Sequence, residues 1–211
     1  VHGNGVCGDD QFLLLSWIGS GGAPGSVQDK LGRMVAHLHR KSSDYFGLEY
    51  DNYIGSLHQS NARHTSWTDF FNSERIEPLL KAAFNNGLLD DTVRRSVEAL
   101  MTKLPTLYPA ENPTLLHGDL WNGNFMVSDS DEPVVFDPAI YFGHREVDIA
   151  MSKLFGGFSD DFYRAYEETF PLEAGWEERT DLWNLYPLLV HLNLFGAGYL
   201  SHIKGVVVKF L

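Results

Sequence analysis

The stretch Leu115-Leu116-His117-Gly118-Asp119-Leu120-Trp121-Asn122-Gly123-Asn124-Phe125 constrains this chain more than any other part of it. Two apolar residues run into a tight polar turn. The turn presents a carboxylate, Asp119, and five positions later a carboxamide, Asn124. The chain then returns as the short apolar run Phe125-Met126-Val127. A second apolar run, Val134-Val135-Phe136, ends on another carboxylate, Asp137. Short apolar runs bounded by turn formers read as strands. Asp119, Asn124 and Asp137 therefore fall at the edge of a small β-structure, where their side chains can converge.

A lone Asp or Asn does no more than cap a turn. These three in this order, each set against an apolar run, match the needs of phosphoryl transfer. That reaction depends mainly on positioning and on neutralising phosphate charge. A carboxylate beside the acceptor hydroxyl takes its proton or its hydrogen bond. Mg²⁺ binds hard oxygen donors and keeps several waters, so one carboxylate and one amide oxygen suffice. Asp119 is thus the candidate catalytic residue, and Asn124 and Asp137 are the candidate Mg²⁺ ligands.

Composition sets the outer bounds. The 211 residues suffice for one large domain or one and a half. A net charge of −12 argues against a nucleic-acid backbone as partner. The single cysteine, Cys7, allows no internal disulfide and suits a reducing cytoplasm. No apolar run is of membrane-spanning length, and no stretch reads as a signal peptide.

Taken in order, Gln11 to Ile18 reads as a buried strand. The glycines before it (Gly3, Gly5, Gly8) and after it (Gly19, Gly21, Gly22, Gly25) mark turns. The glycine-rich linker has the character of a hinge between lobes. Backbone groups of Ser16, Trp17 and Ile18 could there meet an adenine edge; the other reading is a plain strand and a surface loop. Leu31, Met34, Val35 and Leu38 predict a helix over Asp29 to Arg40. His37 and His39, two apart on it, face different ways and make no metal pair. Asp51-Asn52-Tyr53-Ile54-Gly55-Ser56 reads as a loop. Trp67, Phe70 and Phe71 begin a helical face that Ile76, Leu79, Leu80 and Phe84 continue, with a kink or restart at Pro78. A further helix carries Val93, Val97, Leu100, Met101 and Leu104 and stops at Pro105. Asp148 opens a helix over Ile149 to Leu154. There it either favours the helix dipole or, if buried, accepts backbone hydrogen bonds from the catalytic turn. Two more helices cover Asp160 to Thr169 and the run from Trp183 to Phe195. The expected class is α+β: a mainly helical body with a small catalytic β-hairpin.

With those residues laid out, the chain resembles the fructosamine kinase (ketosamine kinase) family, within the aminoglycoside-phosphotransferase-like kinases of protein-kinase-like fold. His117-Gly118-Asp119-Leu120-Trp121-Asn122-Gly123-Asn124 resembles the family's catalytic loop. Phe136-Asp137-Pro138-Ala139, continuing through Tyr141, Gly143-His144-Arg145-Glu146 and Asp148, resembles its metal-binding segment. Asp51-Asn52-Tyr53-Ile54-Gly55, Trp67 and Phe70-Phe71 are similar to its helical lobe, and Leu185-Tyr186-Pro187-Leu188-Leu189 with His191-Leu192-Asn193-Leu194-Phe195 to its final helix. A bare His-Gly-Asp is common to many small-molecule kinases; Trp121 and Phe-Asp-Pro-Ala are more specific.

The resemblance implies ATP and Mg²⁺ as cofactors, Asp119 as catalytic base and Asn124 and Asp137 as metal ligands. It implies a ketoamine acceptor, fructosamine or ribulosamine, phosphorylated on a sugar hydroxyl. Related acceptors (an aminoglycoside, choline or a methylthio-sugar) and a non-catalytic remnant are the alternatives. Residues 1–18 would be the last strand and hinge of an amino-terminal ATP lobe, and 19–211 the catalytic and substrate lobe. The family's glycine-rich loop, phosphate-contacting Lys and its Glu partner have no counterpart upstream of Gln11. The expectation is therefore a largely absent nucleotide lobe, weak activity of this chain by itself, and self-association through residues 11–18.

Overall fold

The computed structural model describes residues 1–211, apart from the side chains of Pro24 and Ser26. Apolar alternation never lasts long in this sequence, so its strands are short. Among the described residues they form four antiparallel two-stranded ladders. Strand β1 (Gly3–Cys7) pairs with β2 (Asp10–Leu14). Helix α1 (Gln28–His39) follows, one residue off the predicted span. The hairpin β3 (Asn52–Ile54) and β4 (Leu57–Gln59) replaces the loop expected at 51–56. Its turn is made at Gly55.

The predicted kink before Pro78 is a change of helix type. Helix α2 (Trp67–Phe70) runs into a π-helical segment, Phe71–Ile76, and then α3 (Glu77–Asn85), with Pro78 in the first turn of α3 directly after the π-helical segment. Helix α4 (Asp91–Lys103) starts on an Asp90 side chain that accepts from the Val93 N–H at 2.9 Å. The catalytic stretch follows as β5 (Thr114–Leu116), β6 (Phe125–Val127), β7 (Pro133–Val135) and β8 (Tyr141–Gly143). Here β6 pairs with β7, and β5 reaches across to β8. Helices α5 (Glu146–Leu154), α6 (Asp160–Thr169), α7 (Trp176–Phe195) and α8 (Leu200–Phe210) complete the chain.

Two apolar clusters hold these elements. The larger joins α2, α3, α4, α7 and α8 around Phe70, Phe71, Leu100, Trp183 and Leu189. The smaller joins α1, α6 and β6 around Leu31, Phe125 and Phe162. Gly32 makes the second cluster tight: a Cβ there would lie 2.3 Å from the Phe162 carbonyl oxygen, so α1 and α6 meet backbone to backbone. Leu116 belongs to the larger cluster and Leu120 to the smaller. The turn between them is therefore clamped by a core on each side, which is what fixes the position of Asp119.

The amino-terminal reading needs correction. Residues 11–18 are not a buried strand. The described strand ends at Leu14, and every residue of β2 is exposed; Trp17 is 94% exposed. Its apolar side chains find no core because β1 is its only ladder partner among the described residues. Helix α7 also starts earlier than expected, at Trp176, and α8 went unforeseen. Helix α7 is buried on nearly every face from Leu182 to Val190, so its sequence carries no one-sided apolar stripe.

Candidate active site

The turn that carries Asp119 is held from below by one buried carboxylate. Asp148, fully buried in the first turn of α5, accepts from the His117 N–H at 2.7 Å and from the Gly118 N–H at 2.9 Å. This is the backbone-accepting role the sequence allowed for it. Its Oδ2 also meets His39 Nε2 at 3.0 Å, and His39 Nδ1 meets the Tyr166 hydroxyl at 2.8 Å. Burial by itself would raise the Asp148 carboxyl; the His39 and Gly118 hydrogen bonds and the neighbouring histidines hold it below the usual carboxylate range. A neighbouring anchor steadies α5 itself. The buried Glu146 carboxylate takes a two-nitrogen fork from Arg179, at 2.9 and 2.5 Å, and the Trp183 indole N–H at 2.8 Å.

Gly118 is required by geometry. Its φ is +81°, and a Cβ there would stand 2.0 Å from the Ala139 carbonyl oxygen. His117 then links the two halves of the site. Its Nε2–H donates to the Phe136 carbonyl at 3.1 Å, its Nδ1 accepts from the Asp119 N–H at 3.3 Å, and its own carbonyl accepts from the Ala139 N–H at 2.9 Å.

Asp119 and Asn124 meet directly. Asn124 Nδ2 donates to Asp119 Oδ2 at 2.8 Å and to the Asp119 carbonyl at 2.9 Å. A flipped amide would set oxygen against oxygen, so this contact fixes the orientation and leaves Oδ1 as the amide's remaining polar atom. Burial pushes the Asp119 carboxyl up, and the Asn124 hydrogen bond with nearby His117 and His191 pulls part of that back. A raised carboxylate is a stronger base toward a hydroxyl.

Asp137 stands at the other end of the same hydrogen-bonded frame, one residue beyond Phe136, whose N–H donates to the Asn124 carbonyl at 3.1 Å. Its φ is +51°, an uncommon left-handed conformation for a residue other than glycine. Such a conformation costs on the order of 1–3 kcal/mol and persists only where the surroundings enforce it. Among the described residues its exposed carboxylate has no hydrogen bond or ion pair. A strained backbone that displays an unengaged carboxylate fits a metal ligand better than a structural cap. The donor set of one carboxylate and one amide oxygen, with room for water, is also the chemistry Mg²⁺ accepts.

Ser16, Trp17 and Ile18 are the candidate adenine contacts. Among the described residues no hydrogen bond joins them to Asp119, Asn124 or Asp137; the Ser16 hydroxyl meets His2 Nε2 at 2.7 Å. The chain just after them is tied to the catalytic hairpin, however. Gly19 accepts from the Asp129 N–H at 2.9 Å, Gly21 donates to the Val127 carbonyl at 2.9 Å, and Ser20 bridges Ser128. Sequence reasoning missed His39 as a site residue, having weighed it only as a metal ligand. Its contact with Asp148 spans 109 positions, and nothing local announces it.

The whole chain, residues 1–211, matches the family model described as fructosamine kinase. It belongs to the fructosamine kinase family. A "Probable ketoamine kinase" of Enterococcus faecium is 40% identical over 210 residues, covering 98% of this chain and 74% of the relative. A crystal structure of a candidate fructosamine-3-kinase from Thermobifida fusca superposes with a TM-score of 0.86 at 38% identity, covering 92% of this chain and 67% of that one. An amicoumacin kinase solved with AMP-PNP and Ca²⁺ shares the fold alone, at a TM-score of 0.53 and 16% identity. Membership in this family makes the protein a phosphotransferase of kinase-like fold.

Proposed function

We propose that this protein transfers the γ-phosphoryl group of ATP to a sugar hydroxyl of a ketoamine such as fructosamine or ribulosamine, a deglycation reaction. The observation that carries the reading is the frame just described. One turn holds Asp119 against Asn124, and the same backbone hydrogen bonds hold Asp137 in a strained conformation with its carboxylate unengaged.

Asp119 would orient the acceptor hydroxyl and take its proton as the oxygen attacks phosphorus. The contact with Asn124 keeps that carboxylate at one angle. Asn124 Oδ1 and the Asp137 carboxylate would hold Mg²⁺, which when bound neutralises charge on the phosphates. Residues 1–18 would close the nucleotide site, with backbone groups of Ser16 to Ile18 meeting the adenine. The ties from Gly19 and Gly21 to the Asn124 hairpin support that placement. Among the described residues no helix is long and apolar enough to cross a membrane, which is compatible with a cytoplasmic enzyme.

A panel of acceptors tests the substrate class. ADP release should be stimulated by fructose- and ribose-derived ketoamines and left near background by aminoglycosides, choline and methylthio-sugars. Preferential turnover of any of the latter would reassign the acceptor.

A further inference from the structure

The hairpin of β3 and β4 takes no part in the chemistry above, yet beside the core residues Ile54 and Leu57 its inner face carries two polar side chains, Asn52 and Gln59. Cross-strand partners Asn52 and Gln59 lie side by side, and Gln59 is 2% exposed. Their bonds form a connected circuit. The Tyr186 hydroxyl donates to Gln59 Oε1 at 2.5 Å. Gln59 Nε2 donates to Asn52 Oδ1 at 2.7 Å and to the Ala139 carbonyl at 3.2 Å. Asn52 Nδ2 donates to the Ile140 carbonyl at 2.8 Å. Asn61 Nδ2 adds a donor to Asn52 Oδ1 at 3.0 Å, and the buried Arg75 of the π-helical segment orients Asn61 through its Oδ1 at 2.6 Å. No amide in this circuit can flip without setting like against like.

The two carbonyls at the end of the circuit belong to the residues just after Asp137 and Pro138. On the amino-terminal side the segment is held by the bonds from Phe136 to Asn124 and His117. On the carboxy-terminal side it is held by His117 at the Ala139 N–H, and by Gln59 and Asn52 at the Ala139 and Ile140 carbonyls. The Ala139 carbonyl is also the atom against which Gly118 packs.

We propose that Gln59, oriented by Tyr186 and supported by Asn52, is a positioning residue of the phosphoryl-transfer site. It keeps the backbone after Asp137 in place, so that the strained residue presents its carboxylate to the metal beside Asn124. The inference rests on the assignment of Asp137 as a metal ligand. On this reading the Asp51-to-Gly55 motif serves to carry Asn52 and Gln59 to the back of the site.

The test compares the complete gene product with Gln59→Glu, which keeps size and the Oε1 acceptor but turns a donor into an acceptor facing the Ala139 carbonyl. Mn²⁺ binding with nucleotide is read by electron paramagnetic resonance, beside the unfolding midpoint, kcat and KM. Partners that orient metal ligands are worth about 10- to 100-fold in metal affinity or activity. Gln59→Glu should weaken Mn²⁺ binding and lower kcat by about that factor, while the ketoamine KM moves by less than about threefold. Leu57→Ala on the same strand should lower the unfolding midpoint and leave Mn²⁺ binding unchanged. Should Gln59→Glu fail to fold, Tyr186→Phe takes its place and should weaken Mn²⁺ binding in the same direction. A folded variant that binds Mn²⁺ as the parent does would overturn the inference by itself. A parent that binds no Mn²⁺ with nucleotide would remove the metal site and the inference together.

Discussion

Asp119 is placed by two forces that oppose each other. Burial raises its carboxyl, and the Asn124 amide holds the ionised form in one orientation. Asp119→Asn keeps the size and removes the base. In the complete gene product it should lower kcat by at least about 100-fold with little change in KM, because the lost interaction belongs to the transition state. Steady-state kinetics at saturating acceptor check this, and near-parental kcat would remove Asp119 from the chemistry. Asn124→Ala and Asp137→Ala should each raise the Mg²⁺ concentration needed for half-maximal nucleotide binding. If both hold one ion, the double variant should lose less than the sum of the single losses. A Mg²⁺ titration of all four proteins decides this, and simple additivity would separate the two residues into different sites.

At the scale of elements, the catalytic turn depends on helix α5 through Asp148. The Asp148 carboxyl lies below its ordinary value in the folded protein. Its contribution to stability is therefore complete above the unfolded value of about 4, and is lost as pH falls through the lower folded value. Asp148→Asn sets an amide N–H against the donors it should accept from, at a cost of at least about 2 kcal/mol at neutral pH. Urea unfolding of parent and variant should show that gap at pH 7 and a narrower one below about pH 4. A gap independent of pH would mean that the carboxylate charge is not what holds the turn. Asp148 also shows where sequence reading ends. Its place at a helix start was legible, and so was a bond to the catalytic turn as one of two uses. Its partner His39 was not, because that contact joins α1 to α5 across 109 positions, with Tyr166 of α6 on the other ring nitrogen. The loop expected at 51–56 failed for a related reason. Turn formers there build a hairpin of two three-residue strands whose inward face mixes Asn52 and Gln59 with Ile54 and Leu57, too short and too mixed for apolar alternation to mark it.

For the whole molecule, two clusters on either side of one turn account for the body, and most of the helices that build them were visible as apolar periodicity. The amino-terminal strand shows the opposite. Its apolar run reads as buried, but burial is a property of neighbours, and Phe12, Leu13, Leu14 and Leu15 are each more than half exposed, at 52, 57, 56 and 55%. An exposed apolar hairpin strand tends to pair with another chain. The 211-residue chain should therefore self-associate with rising concentration, and Leu13→Lys with Leu15→Lys should suppress it. Sedimentation across a concentration series checks this, and a monomer at every concentration would contradict it.

The central claim is that the Asp119 frame phosphorylates a ketoamine sugar. ³¹P NMR of the complete gene product with ATP, Mg²⁺ and a fructose-derived ketoamine tests it most directly. The account predicts a new phosphomonoester resonance on the sugar growing in step with ADP, and none with Asp119→Asn. ADP that accumulates with only inorganic phosphate beside it, or an ester formed equally well by the Asp119→Asn protein, would contradict it.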